Sequence, residues 1–420
     1  METTTTEQET PLPNSRIKAI GPGIVAAATG VGAGDLVATL AAGSKLGYTL
    51  LWAVLLGVVV KIALGEAVGR YHLATNSTLL RGWRGLGIWT SWYLGIYIVA
   101  WGLSYGVAIM TATGMPFNAL FPQLSIGQWG AINAIIGLLL VWFGGYIRFE
   151  RLMTALVGVM FICVVGIAIR LLPNIPNMFT GLVPRMPAGS LIYTLGLLGG
   201  VGGTITMAAY GYWFNAKGWR GSAWIPFMRL DNTVSYIITG LFVFSMMVVG
   251  AELLYVSSIV ITENNKGLMD LSDILAERYS PFMRMTFLIG FWAASFTSLI
   301  GVWNGVSLMF SDFVRHARNL PEVTGEAATR TPEFRAYMLW LTFPPMVILF
   351  LMQNDPVKSV LIYGVLGAFF MPFLAGTLLW LLNRGVEKQF RNGWLSNLLL
   401  TISFFIFGFL CVAELLKIGQ

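Results

Sequence analysis

Gly21-Pro-Gly-Ile-Val-Ala-Ala-Ala-Thr-Gly-Val-Gly-Ala-Gly-Asp35 and Gly199-Gly-Val-Gly-Gly-Thr-Ile-Thr-Met-Ala-Ala-Tyr-Gly211 are the two stretches that decide how this chain folds. Each lies in an apolar run long enough to cross a bilayer, and each is interrupted by glycine, at Gly30, Gly32 and Gly34 in the first and at Gly202 and Gly203 in the second. Without a Cβ, glycine weakens a helix by about 1 kcal/mol relative to alanine and lets backbone approach another chain or a ligand closely. One such stretch is readily explained by small residues at a helix-packing interface. Two of them, five spans apart, fit an inverted repeat in which the first helix of each half is broken. Non-helical backbone at membrane depth needs protein or water to satisfy its N–H and C=O groups, so paired breaks mark a central binding site.

The rest of the chain supports a membrane setting. Of 420 residues 56% are hydrophobic and 11% charged, against roughly a quarter charged in soluble domains. A spanning helix takes about 20 apolar residues. Eleven such stretches are present, at roughly 19–43, 48–71, 88–112, 127–146, 151–172, 190–214, 230–257, 284–313, 336–353, 357–383 and 394–416. The expected protein is all-α, with ten spans in a five-plus-five inverted repeat, helices 1 and 6 broken, and one extra C-terminal helix. Residues 1–16 read as a disordered cytoplasmic tail, 17–172 and 190–383 as the two repeats, and 394–417 as the added helix. The acidic, Thr-rich start lacks the apolar core of a signal peptide.

A net charge of +7 is explained by where the cations fall. With the N-terminus inside, 17 of the 26 Lys and Arg residues, Arg81, Arg84 and Arg315 among them, lie in cytoplasmic loops and 8 outside, the asymmetry that orients membrane proteins. The C-terminus is then outside, in a bacterial-type plasma membrane. Nucleic acid is not an expected partner; the lipid bilayer and a small ion or solute are, for a monomer without cofactors. Trp83, Trp89, Trp92, Trp213, Trp219, Trp224 and Trp394 stand near span ends and read as interfacial belts. The segment 258–281, with acids interleaved among Leu268, Leu271 and Leu275, reads as a solvated connecting helix.

Ionisable groups within spans cost several kcal/mol unless paired or hydrated, which makes the few present the functional candidates. Asp35 closes the broken stretch of the first span, either facing a ligand or capping the second half-helix. Lys61 falls near mid-bilayer in the second span. Glu66 is five residues on, about 140° around the helix, so a Lys61–Glu66 pair within the span is not expected; Asp35 is the expected partner. Asp231 and Asn232 stand at the start of the seventh span, to contribute polar atoms to the cavity or to cap that helix.

At this point the residues are similar to those of a known family. Gly21-Pro22-Gly23, Ala42-Gly43, Gly47-Tyr48-Thr49-Leu50-Leu51-Trp52, Gly202-Gly203-Thr204-Ile205 and Met371-Pro372-Phe373 resemble the corresponding stretches of the Nramp divalent-metal transporters, with span spacing in agreement over nearly the whole chain. The resemblance implies the LeuT-type fold and secondary-active transport. It also implies a site built from Gly32, Ala33, Gly34 and Asp35 in the first helix and Thr206, Met207, Ala208 and Ala209 in the sixth, with Asp35 the candidate metal ligand. In that family the first helix carries Asp-Pro-Gly-Asn and the sixth Met-Pro-His; here the same places read Gly32-Ala33-Gly34-Asp35 and Thr206-Met207-Ala208. The third span has no acid between Trp89 and Met115, where the family has proton-path carboxylates, and the tenth has no Gln. The site is therefore remodelled. Soft divalent ions prefer thioether or imidazole ligands and hard ones prefer several oxygens. A divalent cation is the leading cargo by resemblance. An anion or small organic solute on the same fold is the alternative, since half-helix N-termini beside Lys61 suit a negative group. A non-transporting membrane sensor is a third. An enzyme is not expected, because no nucleophile elbow or His/Glu metal motif lies within the spans.

Overall fold

A computed structural model describes residues 12, 20–31, 33–171, 173–200, 203–255, 266–351 and 356–418. The first half opens with two half-helices, α1 (Pro22–Gly30) and α2 (Ala33–Leu46). Four helices follow: α3 (Leu51–Thr75), the short α4 (Leu79–Gly85), α5 (Ile88–Leu120) and α6 (Ile126–Phe143). The half closes with α7 (Tyr146–Arg170). A short α8 (Ile175–Gly181) leads into the second half, which opens with α9 (Leu191–Gly200), a 3₁₀ turn at Ile205–Ala209 and α10 (Tyr210–Lys217). Then come α11 (Ile225–Gly250), extended by a π turn at Ala251–Tyr255, and α12 (Lys266–Arg278). After these run α13 (Pro281–Ala317), α14 (Pro332–Leu351), α15 (Pro356–Arg384) and α16 (Trp394–Ile418).

Local chemistry accounts for the ends of these helices. Pro22 and Pro281 occupy first-turn positions, where a missing N–H costs nothing. Ser125 and Gln128 form a reciprocal capping box at the start of α6. Ser280 accepts from the Met283 N–H at 3.3 Å to start α13.

Eight helices among the described residues are long and apolar enough to cross a membrane. The 29-residue α15 and the two broken pairs, α1/α2 and α9/α10, complete eleven spans. Packing shows the repeat directly. In the first half α5 lies on α6, α14 and α15, and in the second half α13 lies on α14, α6 and α7, each partner replaced by its counterpart five spans away. Likewise α1 packs on α11 and α9 on α3. This is the five-plus-five LeuT-type architecture, with α16 added against α15 and α3. Helices α5, α11 and α13 are mostly buried, whereas Phe143, Ile162, Phe282, Leu351 and Phe405 are wide open on the outside. Apolar exposure on that scale is a lipid-facing surface, and the protein is an integral membrane protein.

Two expectations are corrected here. Trp89, Trp92 and Trp394 are exposed as belt residues should be, but Trp83, Trp213, Trp219 and Trp224 are buried in protein. Trp219 stacks between Phe214 and Trp224, with ring centroids 5.3 and 4.8 Å away, so aromatic packing claims these rings rather than the interface. The seventh span starts earlier than its apolar run, at Ile225, because Pro226 supplies a helix start upstream. Asp231 and Asn232 therefore sit inside α11 and cannot cap it.

Candidate functional site

The two breaks face each other at the centre of the fold. At the first, Val31 donates its N–H to the Ala28 carbonyl at 3.2 Å to close α1. The Thr29 carbonyl, left over at the end of the half-helix, accepts from Ser298 Oγ of α13 at 2.7 Å. Ser298 in turn shares a 2.8 Å hydrogen bond with the Tyr105 hydroxyl of α5. An orphan carbonyl of the break is thus satisfied from the surrounding helices, as burial requires.

At the second break the chain passes through Gly203 with φ +86°, a conformation open to glycine and strained for other residues. The approach to the first break is also glycine-specific, because a Cβ on Gly203 would lie 2.8 Å from the Cα of Gly30. The 3₁₀ turn begins with the Met207 N–H donating to the Thr204 carbonyl at 3.1 Å, which leaves the Gly203 carbonyl outside the turn's own ladder. That oxygen accepts instead from the Lys61 ammonium, carried on α3 and fully buried. Lys61 Nζ also lies 3.8 Å from the Met371 sulfur of α15 and 6.0 Å from the centre of the Phe407 ring.

Thr204 and Thr206, next along the chain from Gly203, are buried, and neither hydroxyl has a hydrogen-bond partner among the described residues. A Cβ on Gly203 would strike the Thr206 hydroxyl, and one on Gly367 of α15 would lie 3.2 Å from Thr204 Cγ2. Buried polar atoms in native proteins are nearly always satisfied, which makes these two hydroxyls candidate contacts for a bound group. Met207, Ala208 and Ala209 are equally buried, but Ala209 packs on Gly305 of α13, away from the break. Gly32 lies outside the described residues, as do the side chains of Ala33, Gly34 and Asp35. The backbone of Asp35 is in the first turn of α2, two residues after Ala33, so Asp35 is not the N-cap of that half-helix. Among the described residues no group of three His, Cys, Asp or Glu side chains is placed to hold a metal.

The remaining candidates lie elsewhere. The Glu66 carboxylate accepts from Arg70 Nε at 3.0 Å and from Arg229 Nε at 2.9 Å. Arg70 also donates to the Phe390 carbonyl, Asn392 and Ser396, so Glu66 anchors the connection into α16. Asn232 donates to the Ile62 carbonyl at 2.9 Å, and its side-chain oxygen is pressed against Gly65. Asp231, fully buried, accepts from the N–H groups of Gly21 at 2.8 Å and Gly23 at 2.6 Å, and from the Tyr210 hydroxyl at 2.9 Å. It caps α1 and ties α10 to that helix start. Nearby, Lys217 of α10 and Glu150 of α7 form a 2.5 Å ion pair.

Sequence reasoning missed a second carboxylate of this kind. Asp312 of α13 accepts from the hydroxyls of Tyr212 at 2.7 Å and Thr78 at 2.8 Å. Tyr210 and Tyr212 alternate around α10, one reaching Asp231 and the other Asp312. Tyr-x-Tyr at a span end was the available signal.

The chain is similar to three curated bacterial proteins named divalent metal cation transporter MntH. The one from Mycobacterium leprae is 22% identical over 414 residues, covering 91% of this chain and 89% of its own. The one from Xanthomonas campestris is 28% identical over 196 residues, covering 45% of this chain and 43% of its own. Among solved structures, a point mutant of the Eremococcus coleocola manganese transporter superposes with a TM-score of 0.79 at 15% identity, covering 97% of this chain and 89% of that one. MhsT in complex with L-phenylalanine superposes with a TM-score of 0.63 at 15% identity, covering 94% and 97%. The family model for natural resistance-associated macrophage protein-like (Nramp) sequences matches residues 23–417, and the chain belongs to that family.

Proposed function

We propose that this protein is a secondary-active transporter that moves a divalent metal ion by alternating access, with the ion held between the two helix breaks. The observation that carries the reading is the pairing of those breaks: a carbonyl outside the ladder of the turn at Gly203, two hydroxyls at Thr204 and Thr206 with no partner among the described residues, and glycine contact with Gly30. Relatives named as divalent metal cation transporters support the cargo class. We assign Asp35, in the first turn of α2, as the carboxylate of the site, with Gly32, Ala33 and Gly34 supplying backbone. With Thr206 and Ala208 where the family has thioether and imidazole, the oxygen-rich remainder suits a hard, partly hydrated ion such as Mg²⁺ or Mn²⁺ over a soft one.

A second reading has one observation in its favour. The Lys61 ammonium at the break would attract an anion or an organic carboxylate. The basic-residue asymmetry supports a cytoplasmic N-terminus and an outer C-terminus, and the packing symmetry supports repeats at 17–172 and 190–383. Uptake into proteoliposomes, with Mg²⁺, Mn²⁺ and a panel of anions, tests both readings. Saturable uptake of a divalent cation supports the first; uptake confined to anions replaces it with the second.

A further inference from the structure

Lys61 is the most unusual group in the fold: a fully buried ammonium near the middle of a spanning helix, bonded to the carbonyl at the break of the sixth span. Resting on the cation-transport reading above, we propose that Lys61 is a tethered cation which holds the Gly203 carbonyl while the site is empty and is displaced from it by the arriving divalent ion.

Four observations meet at this point. The Gly203 oxygen lies outside the hydrogen-bond ladder of the turn that follows it, so in a dehydrated interior it needs a donor or a cation. Lys61 supplies one, and it does so from α3, which runs unbroken from Leu51 to Thr75 and fixes the anchor of a flexible four-carbon stem. The Met371 sulfur, 3.8 Å from the ammonium, and the Phe407 ring, 6.0 Å away, are soft groups beside it. The Thr206 hydroxyl, against Gly203 and without a partner among the described residues, is a further oxygen at the break that the ammonium does not use. A divalent ion on these oxygens would lie within a few ångströms of Nζ, where like charges repel strongly in a low dielectric. The two cannot share the carbonyl, so the ion's arrival requires the ammonium to leave.

This gives the cycle a return step. An alternating-access carrier must reorient empty as well as loaded, and the lysine satisfies the break during the empty passage. Its cost is weaker cargo binding, because every ion bound must displace an existing contact. Removing the charge should therefore tighten binding and slow release.

The test is divalent-cation binding to the purified full-length chain, measured by titration calorimetry with Mg²⁺ and Mn²⁺ on wild type, Lys61→Met and Lys61→Arg, with proteoliposome uptake measured in parallel. Lys61→Met is expected to bind about ten-fold or more tightly than wild type and to turn over more slowly, while Lys61→Arg, which keeps a cation there, binds no more tightly than wild type. Unchanged or weaker binding by a Lys61→Met protein that melts as cooperatively as wild type overturns the proposal, as does tighter binding by Lys61→Arg, which remains decisive if Lys61→Met does not fold. Wild-type uptake together with unchanged Lys61→Met affinity removes the tethered cation and leaves the transport reading intact. Absence of divalent-cation binding in both proteins removes both.

Discussion

The Asp231 carboxylate on α11 accepts the backbone N–H of Gly23 at 2.6 Å, across 208 positions of sequence. With Gly21 as a second donor, one buried side chain satisfies two of the orphan amides at the start of α1. Its third partner, Tyr210, begins α10. One half of each broken helix, α1 and α10, therefore begins on the same carboxylate.

Replacing Asp231 by alanine leaves two amides and a phenol without their acceptor. Charge-assisted hydrogen bonds of this kind contribute roughly 1.5–3 kcal/mol each, so the loss should be about 3 kcal/mol or more, with Asp231→Asn intermediate. Thermal unfolding in detergent measures it. Melting unchanged in Asp231→Ala would remove the carboxylate from its role as the shared cap.

The partnerless hydroxyls at the second break give a cleaner separation of stability from transport. Thr204→Val and Thr206→Val keep the shape and remove an unsatisfied polar atom whose burial costs about 1–3 kcal/mol. Both variants should melt at or above the wild-type temperature. If the hydroxyls touch cargo, divalent-cation uptake should nevertheless fall several-fold, most in Thr206→Val. Raised stability with full uptake would show that these oxygens face no cargo.

Glu66 offers the opposite pattern. Its partners are Arg70 and Arg229 at the end of the bundle where α1 starts, so Glu66→Gln should cost about 1–2 kcal/mol of stability while the apparent KM for the cation stays at the wild-type value. A shifted KM at unchanged stability would place Glu66 on the ion's path instead.

Several of these features could be read in the sequence, and the exceptions have a common cause. Glycine clusters at matching positions announced both breaks, because a helix interrupted at membrane depth requires a residue free of Cβ constraints. The isolation of Glu66 from Lys61 followed from helix angles, which need no tertiary knowledge. Asp231 was read as lending polar atoms to the cavity or capping its own helix; that it caps α1 instead could not be read, because its donors come from the opposite repeat. Asp35 was read as either facing a ligand or capping the second half-helix; its backbone lies inside the first turn of α2, which begins at Ala33, and this excludes the cap. The buried tryptophans were indistinguishable in sequence from belt residues, because both kinds stand near span ends and only packing separates them. Lys61 was legible as a buried cation. Its carbonyl partner was not, because a backbone acceptor leaves no mark in the residue types.

Passage of a divalent ion between the paired breaks is read out by the initial rate of Mg²⁺ and Mn²⁺ uptake into proteoliposomes by wild type and Gly203→Ala. An alanine there must take φ +86° and place its Cβ 2.8 Å from the Gly30 Cα, which forces the breaks apart at a cost of about 1–3 kcal/mol. Wild type should take up at least one of the two ions saturably, and folded Gly203→Ala should show uptake near that of empty liposomes. Wild type that moves neither ion, or Gly203→Ala that moves them at the wild-type rate, would contradict passage between the breaks.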